Sequence, residues 1–212
     1  MNEIKSLGIL GGTFDPIHYG HLTAAECARC EYKLDRVVFM LSAQPPHKQQ
    51  QTVTDPQDRL SMVRKAIADN EAFEASTLEM ERKGYSYTVD TIQYYLNTYP
   101  DVKIYFILGI DALLLINTWK NVDRLVGMCE FIAITRPGFK LDPEDDAFKD
   151  VPRVLWQHMH ILEMPGSVVS SSDIRNRVAN GKTIKYLVPP QIEEYIRTRG
   201  LYREETTNDE RK

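Results

Sequence analysis

Cysteine is scarce in this sequence, with three residues in 212: Cys27, Cys30 and Cys129. So few thiols, and an odd number of them, do not build the disulfide framework that stabilises small secreted domains. We therefore expect a protein of a reducing compartment, and we place it in the cytoplasm.

Long hydrophobic runs are also missing. The longest candidate, 104–116, is interrupted by Gly109 and Asp111, and it is shorter than the roughly 20 apolar residues that a membrane span needs. Residues 1–6 contain no apolar signal core. We expect neither a secretion signal nor a membrane partner.

An excess of positive charge is absent as well, because 26 Lys and Arg residues stand against 30 Asp and Glu residues, a net charge of -4. General nucleic-acid binders carry the opposite bias, so we expect no nucleic-acid partner. Local cations and backbone N–H groups must then hold any anionic ligand. Hydrophobic residues make up 42% of the chain, which is enough for a folded core and excludes a wholly disordered protein.

The length suits one domain. We place it at residues 1–202, with a C-terminal helical part at about 165–200. Residues 203–212 contain no apolar side chain, which predicts a disordered tail.

Short apolar runs alternate with amphipathic segments along the chain. Continuous apolar runs are typical of strands buried on both faces of a parallel sheet. The clearest lie at 6–10, 37–41, 104–108 and 130–135. Helical patterns follow Asp55-Pro56 and cover 89–99, 112–116, 122–126, 170–180 and 190–199. This order predicts an α/β fold, a Rossmann-like doubly wound parallel sheet with helices on both faces and a short C-terminal helical part.

The most informative segment follows the first apolar run, where ligands of such sheets bind. It reads Gly11-Gly12-Thr13-Phe14-Asp15-Pro16-Ile17-His18-Tyr19-Gly20-His21-Leu22. Paired glycines allow close approach of a ligand to the backbone, and the helix start offers N–H donors to a phosphate. His18 and His21 are three residues apart, so both rings can face one spot, and we expect Gly20 to leave room for a ligand between them. Two imidazoles aimed at one phosphoryl group suit phosphoryl or nucleotidyl transfer.

Core packing and a metal site are the alternatives for these histidines. A metal site would need Cys27 and Cys30 as further ligands. At about 100° per helical residue, His21 and Cys27 lie roughly 240° apart, so one helix does not converge all four side chains. We interpret the two cysteines as small core residues.

The segment 12–21 resembles the Gly-x-Phe-Asp-Pro-x-His-x-Gly-His signature of the nucleotidyltransferase superfamily, which shares His-x-Gly-His with class I aminoacyl-tRNA synthetases. Within that superfamily the chain, from about Leu7 to Gly200, is similar to the bacterial nicotinate-nucleotide adenylyltransferases. Four further segments carry the resemblance: Pro45-Pro46-His47-Lys48, Arg82-Lys83-Gly84-Tyr85-Ser86-Tyr87-Thr88-Val89-Asp90-Thr91, Leu108-Gly109-Ile110-Asp111 followed by Trp119, and Val169-Ser170-Ser171-Ser172-Asp173-Ile174-Arg175. The last departs from the family's Ile-Ser-Ser-Thr-x-Ile-Arg at Val169 and Ser172, and the hydroxyl is kept.

The polar residues of these segments can also be interpreted from their chemistry alone, without the resemblance. Lys48 follows a rigid Pro-Pro pair and can reach a phosphate as a compact charge, while a solvated lysine is the alternative. Ser170, Ser171 and Ser172 open a helix whose hydroxyls and N–H groups form an anion site, and Arg175 can fork onto phosphate oxygens. Simple helix capping is the alternative for the serines.

Three residues follow strands on the ligand side of the sheet. Asp111 suits ribose hydroxyls, or it caps a helix over 112–116. Trp119 suits stacking on a flat ring, with core packing as its alternative. Arg136 is placed near the nucleotide base.

The resemblance implies transfer of AMP from ATP to nicotinate mononucleotide, with deamido-NAD and pyrophosphate as products and magnesium bridging the ATP phosphates. It implies His18, His21, Lys48 and Arg175 as catalytic residues, and no metal ligand from the chain. The ATP-binding residues would be Gly11, Gly12, Thr13, Phe14, His18, His21, Gly109, Asp111, Arg136, Ser170, Ser171, Ser172 and Arg175. The mononucleotide-binding residues would be Gly12, Thr13, Lys48, Ser86, Tyr87, Thr88 and Trp119.

Two other functions stay open. A related adenylyltransferase would use nicotinamide mononucleotide or phosphopantetheine, although the segment 82–91 and Trp119 are not expected in a phosphopantetheine enzyme. A catalytically silent nucleotide-binding regulator is the second, and the presence of all four catalytic side chains argues against it. The sequence also leaves open whether the protein forms a homo-oligomer.

Overall fold

A six-stranded parallel sheet lies at the centre of the computed structural model, within the residues it describes: 4–42, 53–82, 84–136, 138–165 and 169–203. The strands are β1 (Ser6–Gly12), β2 (Arg36–Leu41), β3 (Phe73–Ser76), β4 (Lys103–Gly109), β5 (Glu130–Thr135) and β6 (Met159–Glu163). Their order is β3-β2-β1-β4-β5-β6, and every neighbouring pair is parallel. The order reverses between β1 and β4, as in doubly wound sheets. The predicted fold class is confirmed.

β1 and β3 each differ from the sequence pattern, for different reasons. β1 extends beyond the run 6–10, because Gly11 and Gly12 still pair with Met40 and Leu41 of β2. The glycine pair therefore ends the strand instead of following it. β3 has no apolar run that would predict it, since it lies at the edge of the sheet with β2 as its partner and does not need side chains that are apolar on both faces.

Eight α-helices flank the strands in the described part of the chain: α1 (Tyr19–Glu31), α2 (Pro56–Ala66), α3 (Leu78–Glu81), α4 (Thr88–Thr98), α5 (Ile110–Leu113), α6 (Val122–Val126), α7 (Ser171–Ala179) and α8 (Pro190–Arg199). Short 3₁₀ turns lie at Ile116–Thr118, Asp146–Phe148 and Arg153–His158. The predicted opening of α2 is confirmed, because the Asp55 carboxylate accepts a hydrogen bond from the Gln57 N–H at 2.7 Å. Gly181 and Gly200 follow α7 and α8 with φ of 65° and 64°, the left-handed conformation in which glycine ends a helix.

Side chains of the strands alternate between two cores. Val38 of β2 belongs to a core with residues of α4 and α6. Its neighbour Phe39 belongs to the opposite core, with residues of α1, α2 and α8. Helices therefore cover both faces of the sheet, as predicted, and the carboxyl edge of the strands remains for a ligand.

The helix expected over 112–116 is wrong in its bounds. α5 begins at Ile110 because Gly109 is its N-cap, with an extended backbone (φ -83°, ψ 167°). Asp111 lies in the first turn of α5 and does not cap it.

The interpretation of both α1 cysteines as core residues is also wrong. Cys27 is half-buried and Cys30 is exposed, because smaller residues occupy the face of α1 that packs on the sheet. The buried residues of α1 are Gly20, Ala24, Ala25 and Ala28.

No helix in the described ranges is long and apolar enough to cross a membrane. Residues 204–212 of the predicted tail, and the segment 43–52 that contains Lys48, lie outside the described residues.

Candidate active site

A cleft of about 560 Å³ opens at the carboxyl ends of β1 and β4, where the strand order reverses. Doubly wound sheets leave a crevice at this point, because the connections on either side run to opposite faces. Nine of the predicted site residues line this cleft: Gly11, Gly12, Thr13, His21, Ser86, Tyr87, Thr88, Gly109 and Trp119. Residues far apart in sequence thus border one space.

The two histidines lie together at the start of α1. His18 is the N-cap, with an extended backbone, and its carbonyl accepts a hydrogen bond from the His21 N–H at 3.0 Å. The imidazole rings are stacked, with centroids 3.7 Å apart and 23° between their planes. The spacing of three residues thus brings both rings to one place. Their role toward a phosphate stays a prediction.

The expected space for a ligand between the rings does not exist, because rings stacked at 3.7 Å are already in van der Waals contact. Gly20 makes room for the His18 ring instead. A Cβ at Gly20 would lie 3.0 Å from the Cε1 and Nδ1 atoms of His18. Glycine at this position therefore permits the stacked pair.

The glycine pair of β1 likewise accommodates aromatic rings. A Cβ at Gly12 would lie 2.8 Å from the Phe14 ring, and one at Gly11 would lie 3.0 Å from the Phe106 ring. Phe14 is buried, and its ring meets the His21 ring edge-on at a centroid distance of 5.1 Å. Phe14 therefore supports His21 from the side of the core.

His18 is buried, at 5% exposure, and its Nδ1 has no hydrogen-bond partner within the described residues. Burial lowers the pKa of His18 from 6.5 to about 4, so the ring is neutral at pH 7. A neutral imidazole donates from one nitrogen and accepts at the other. A buried polar nitrogen without a partner is costly unless a ligand or water satisfies it.

The N-terminus of α7 packs against the segment that leads into His18. The Ser171 hydroxyl donates to the Pro16 carbonyl at 2.9 Å, and Arg175 Nη1 donates to the Asp15 carbonyl at 2.6 Å. Ser170 caps α7, since its Oγ accepts from the Asp173 N–H at 3.1 Å. Ser170 is therefore a helix cap, which is the alternative that the sequence offered. The start of α7 also lies next to the loop before His18, and its role as an anion site stays a prediction.

The opposite wall of the cleft carries the residues expected around the mononucleotide. Ser86 is buried, and Tyr87 precedes the first residue of α4, Thr88. Trp119 is half-buried, and its indole meets the Phe106 ring edge-on at 5.5 Å and 89°. Trp119 thus packs on the core and borders the cleft at the same time. The Lys120 ammonium lies 4.1 Å from the centre of the Tyr87 ring, a cation–π contact.

Several predicted residues that the structure describes do not line the cleft, among them Phe14, His18, Ser170, Ser171 and Arg175. Among the described residues, Asp111 and Arg136 are exposed at the carboxyl ends of β4 and β5 and do not border it. Ser172 is exposed in the first turn of α7. Lys48 lies outside the described residues, so its role stays a prediction.

The sequence pattern missed a carboxylate in the wall of the cleft. Glu79 of α3 borders the cleft and is buried, at 6% exposure. Its Oε1 accepts a hydrogen bond from the Thr91 hydroxyl at 2.8 Å, and Arg82 Nη1 donates to the same hydroxyl at 3.0 Å. Burial raises the pKa of Glu79. Glu79 lies three residues before Arg82, which begins the segment 82–91. This closeness to a segment already singled out is the sequence feature that could have identified it.

The described residues contain no group of three or more His, Cys, Asp or Glu side chains that could hold a metal ion.

The fold and the paired histidines at the reversal of the strand order define a nucleotidyltransferase, and residues 9–177 match the family model described as cytidylyltransferase-like. A "probable nicotinate-nucleotide adenylyltransferase" of Moorella thermoacetica is 52% identical over 198 residues, which cover 93% of this chain and 91% of that protein. A protein of the same name from Desulfitobacterium hafniense is 48% identical, covering 94% of this chain and 96% of its own length. This chain belongs to the nicotinate-nucleotide adenylyltransferase family.

Solved structures show the same fold. The Plasmodium falciparum nicotinic acid mononucleotide adenylyltransferase complexed with NaAD has a TM-score of 0.76. The match covers 93% of this chain and 97% of that chain at 23% identity. The architecture is thus shared at low sequence identity.

Proposed function

We propose that this enzyme transfers AMP from ATP to nicotinate mononucleotide and releases pyrophosphate, with deamido-NAD as the second product. The two unlike halves of one cleft carry the proposal. On the β1–α1 side stand the glycine pair and His21, beside the N-terminus of α7. On the other side stand hydroxyls and the Trp119 indole. Backbone N–H groups and imidazoles suit phosphates, and an indole suits a flat pyridine ring.

The bond changes are simple. An oxygen of the acceptor's 5′-phosphate attacks the α-phosphorus of ATP in line, and the bond from the α-phosphorus to the bridging oxygen breaks, leaving its electron pair on pyrophosphate. A phosphate monoester is already an anion at pH 7, so no general base is required. The protein supplies positioning and charge stabilisation.

His18 and His21 would stabilise charge on the α- and β-phosphoryl oxygens. Lys48 and Arg175 would hold the departing pyrophosphate. The His18 ring is buried, so a hydrogen bond from it to a phosphoryl oxygen would be stronger than the same bond in water.

The remaining contacts divide between the two substrates. ATP would meet Gly11, Gly12, Thr13 and Phe14 through the backbone, Gly109 and Asp111 at the ribose, Arg136 near the base, and Ser170, Ser171 and Ser172 at the phosphates. The mononucleotide would meet Gly12 and Thr13 as well, with Ser86, Tyr87, Thr88 and Trp119 around its ring. Magnesium would enter with ATP and neutralise phosphate charge.

Initial rates of pyrophosphate release test this proposal. ATP is supplied with nicotinate mononucleotide, nicotinamide mononucleotide or phosphopantetheine, and the product is identified by mass. We expect the highest kcat/KM with nicotinate mononucleotide. A higher kcat/KM with phosphopantetheine would show that the proposed acceptor is wrong. Nucleotide binding without pyrophosphate release would show that the protein is a catalytically silent regulator.

A further inference from the structure

The C-terminal segment returns to the loop that carries the catalytic histidines. Tyr202 follows α8, and its hydroxyl donates to Oδ1 of Asp15 at 2.7 Å, across 187 residues of sequence. Burial and the Asp15 carboxylate raise the pKa of Tyr202, so the hydroxyl keeps its proton and remains a donor. Charge-assisted bonds of this length are among the stronger hydrogen bonds in proteins.

Asp15 connects this tyrosine to the catalytic side chains. Asp15 is buried, at 4% exposure, and its second carboxylate oxygen accepts from the Thr54 N–H at 3.2 Å. Its backbone carbonyl is the acceptor for Arg175 Nη1 at 2.6 Å. Asp15 also lies three residues before His18. The position of this one residue therefore sets both where Arg175 is held and where the chain enters α1.

The loop needs such support because its backbone is strained. Phe14, the residue before Asp15, has φ of 50°, and a bulky residue in the left-handed region persists only where its surroundings hold it. Arg59 supplies a second support, since it is buried at 1% exposure and donates to the carbonyls of Thr13 and Ser42, each at 2.9 Å. The hydroxyl of Tyr202 is the support that comes from the far end of the chain.

We propose that Tyr202 is a positioning residue for AMP transfer, because its hydroxyl holds Asp15 and thereby places Arg175 and His18 for the reacting phosphates. This inference rests on the proposed function. It assigns a task in catalysis to the segment after α8, which lies beyond the matched residues 9–177.

The same part of the chain offers a matched control. The Tyr195 hydroxyl donates to Oδ1 of Asp58 at 2.7 Å, across 137 residues of sequence. Asp58 keeps a second donor in Arg199 Nε at 3.0 Å, as Asp15 keeps the Thr54 N–H. The two tyrosine–aspartate bonds are alike in type and length, and only the Tyr202 bond leads to the histidine loop.

The test compares Tyr202→Phe with Tyr195→Phe at a temperature where circular dichroism shows both variants folded. We expect kcat to fall about tenfold in Tyr202→Phe, because small displacements of positioned groups are costly, and to stay within twofold of wild type in Tyr195→Phe. The KM for nicotinate mononucleotide should not change in either variant. Tyr202→Phe should also add nothing to the loss in an Asp15→Ala background, since both changes break one bond.

Equal kcat values in the two single variants would overturn the inference, and so would a Tyr202→Phe protein that fails to fold, because the residue would then be structural. A wild-type protein that forms no dinucleotide would instead contradict the proposed function. In that case the affinity for pyrophosphate, measured by calorimetry, still decides the role of Tyr202. We expect about a fivefold loss in Tyr202→Phe alone, and unchanged affinity would overturn the inference.

Discussion

Neighbouring aromatic rings hold the side chains of both histidines in place. The His18 ring is stacked on His21 at 3.7 Å, and Phe14 supports His21 from the core side. Donors that are already oriented need little reorganisation when charge develops in a transition state, which makes them effective in catalysis. Burial keeps the His18 ring neutral, so its proposed role in catalysis is to form a hydrogen bond and not to supply a resident positive charge.

We expect His18→Ala and His21→Ala each to lower kcat by roughly 10²–10³, the effect of losing one transition-state donor. Folding should survive, because each change removes one ring at the start of α1 and leaves the apolar side chains of both cores in place. Steady-state kinetics and thermal unfolding on the same preparations measure both quantities. Near-normal turnover in either variant would remove that histidine from the mechanism.

Trp119 is expected to bind the acceptor. Trp119→Ala should weaken nicotinate mononucleotide binding by about 1–3 kcal/mol, or roughly five- to 150-fold, by analogy with base–aromatic stacking, and should leave the KM for ATP nearly unchanged. Trp119 also packs on Phe106, so the thermal midpoint must be measured alongside.

Trp119→Phe is the control, because it keeps a ring and should recover much of the binding. If Trp119→Ala unfolds the protein, or weakens ATP and acceptor equally, its role is confined to the core.

At the scale of elements, the starts of α1 and α4 border the cleft at the end of β1, and the start of α7 packs on the loop that leads into α1. α1 brings the histidines, α4 brings Tyr87 and Thr88, and α7 brings Arg175. Backbone N–H groups at helix starts lack partners within the helix and carry partial positive charge. We propose that these helix starts supply local positive potential for an anionic ligand in a chain whose net charge is -4.

The substitution Gly20→Ala tests whether the position of the His18 ring at the start of α1 matters for catalysis. An added Cβ would lie 3.0 Å from the His18 ring, so Gly20→Ala should displace that ring and lower kcat by about tenfold while the protein stays folded. The control is Gly127→Ala, where the added Cβ would lie 3.6 Å from the Arg124 carbonyl, an ordinary contact. Equal kcat in the two variants would show that the stacked pair tolerates the extra methyl group.

The substitution Arg175→Lys tests whether the contact of α7 with the histidine loop places this side chain for a phosphate. Its Nη1 donates to the Asp15 carbonyl, so further N–H groups of the same guanidinium can hold a phosphate. Arg175→Lys should lower kcat/KM by about tenfold or more in both the forward reaction and pyrophosphorolysis, because an ammonium does not reproduce a forked contact. Unchanged constants for ATP and pyrophosphate would place Arg175 outside the phosphate site.

At the scale of the whole molecule, the burial of His18 links stability to pH. Its pKa is 6.5 when exposed and about 4 in the folded protein, so between these values the unfolded state binds more protons. The free energy of unfolding must then fall as pH decreases through this window, by up to about 1.4 kcal/mol per pH unit from this group.

His18→Gln should remove that part of the slope. The free energy of unfolding in urea at pH 4.5, 5.5 and 7 measures it in both proteins. The same pH dependence in wild type and variant would show that His18 is not held neutral by burial. The comparison between the two proteins also cancels the titration of other groups, including Glu79, whose raised pKa acts in the opposite direction.

Local patterns in the sequence determined much of this protein. Runs of apolar residues identified β1, β2, β4 and β5, and Asp55, Gly181 and Gly200 marked helix ends where the structure has them. These signals are readable because periodicity and capping act over a few neighbouring residues. The spacing of His18 and His21 belongs to the same class.

Only the tertiary structure decided which distant residues meet. It placed Glu79 in the wall of the cleft and joined Tyr202 to Asp15 across 187 residues. No periodic pattern in a single chain encodes such pairs, because the packing of whole elements determines them. The sequence by itself therefore determined β1, β2, β4 and β5, the ends of several helices and the glycine–histidine segment, because each is encoded by neighbouring residues. The contacts that hold this segment in place were decided by how β1, α7 and the segment after α8 pack together.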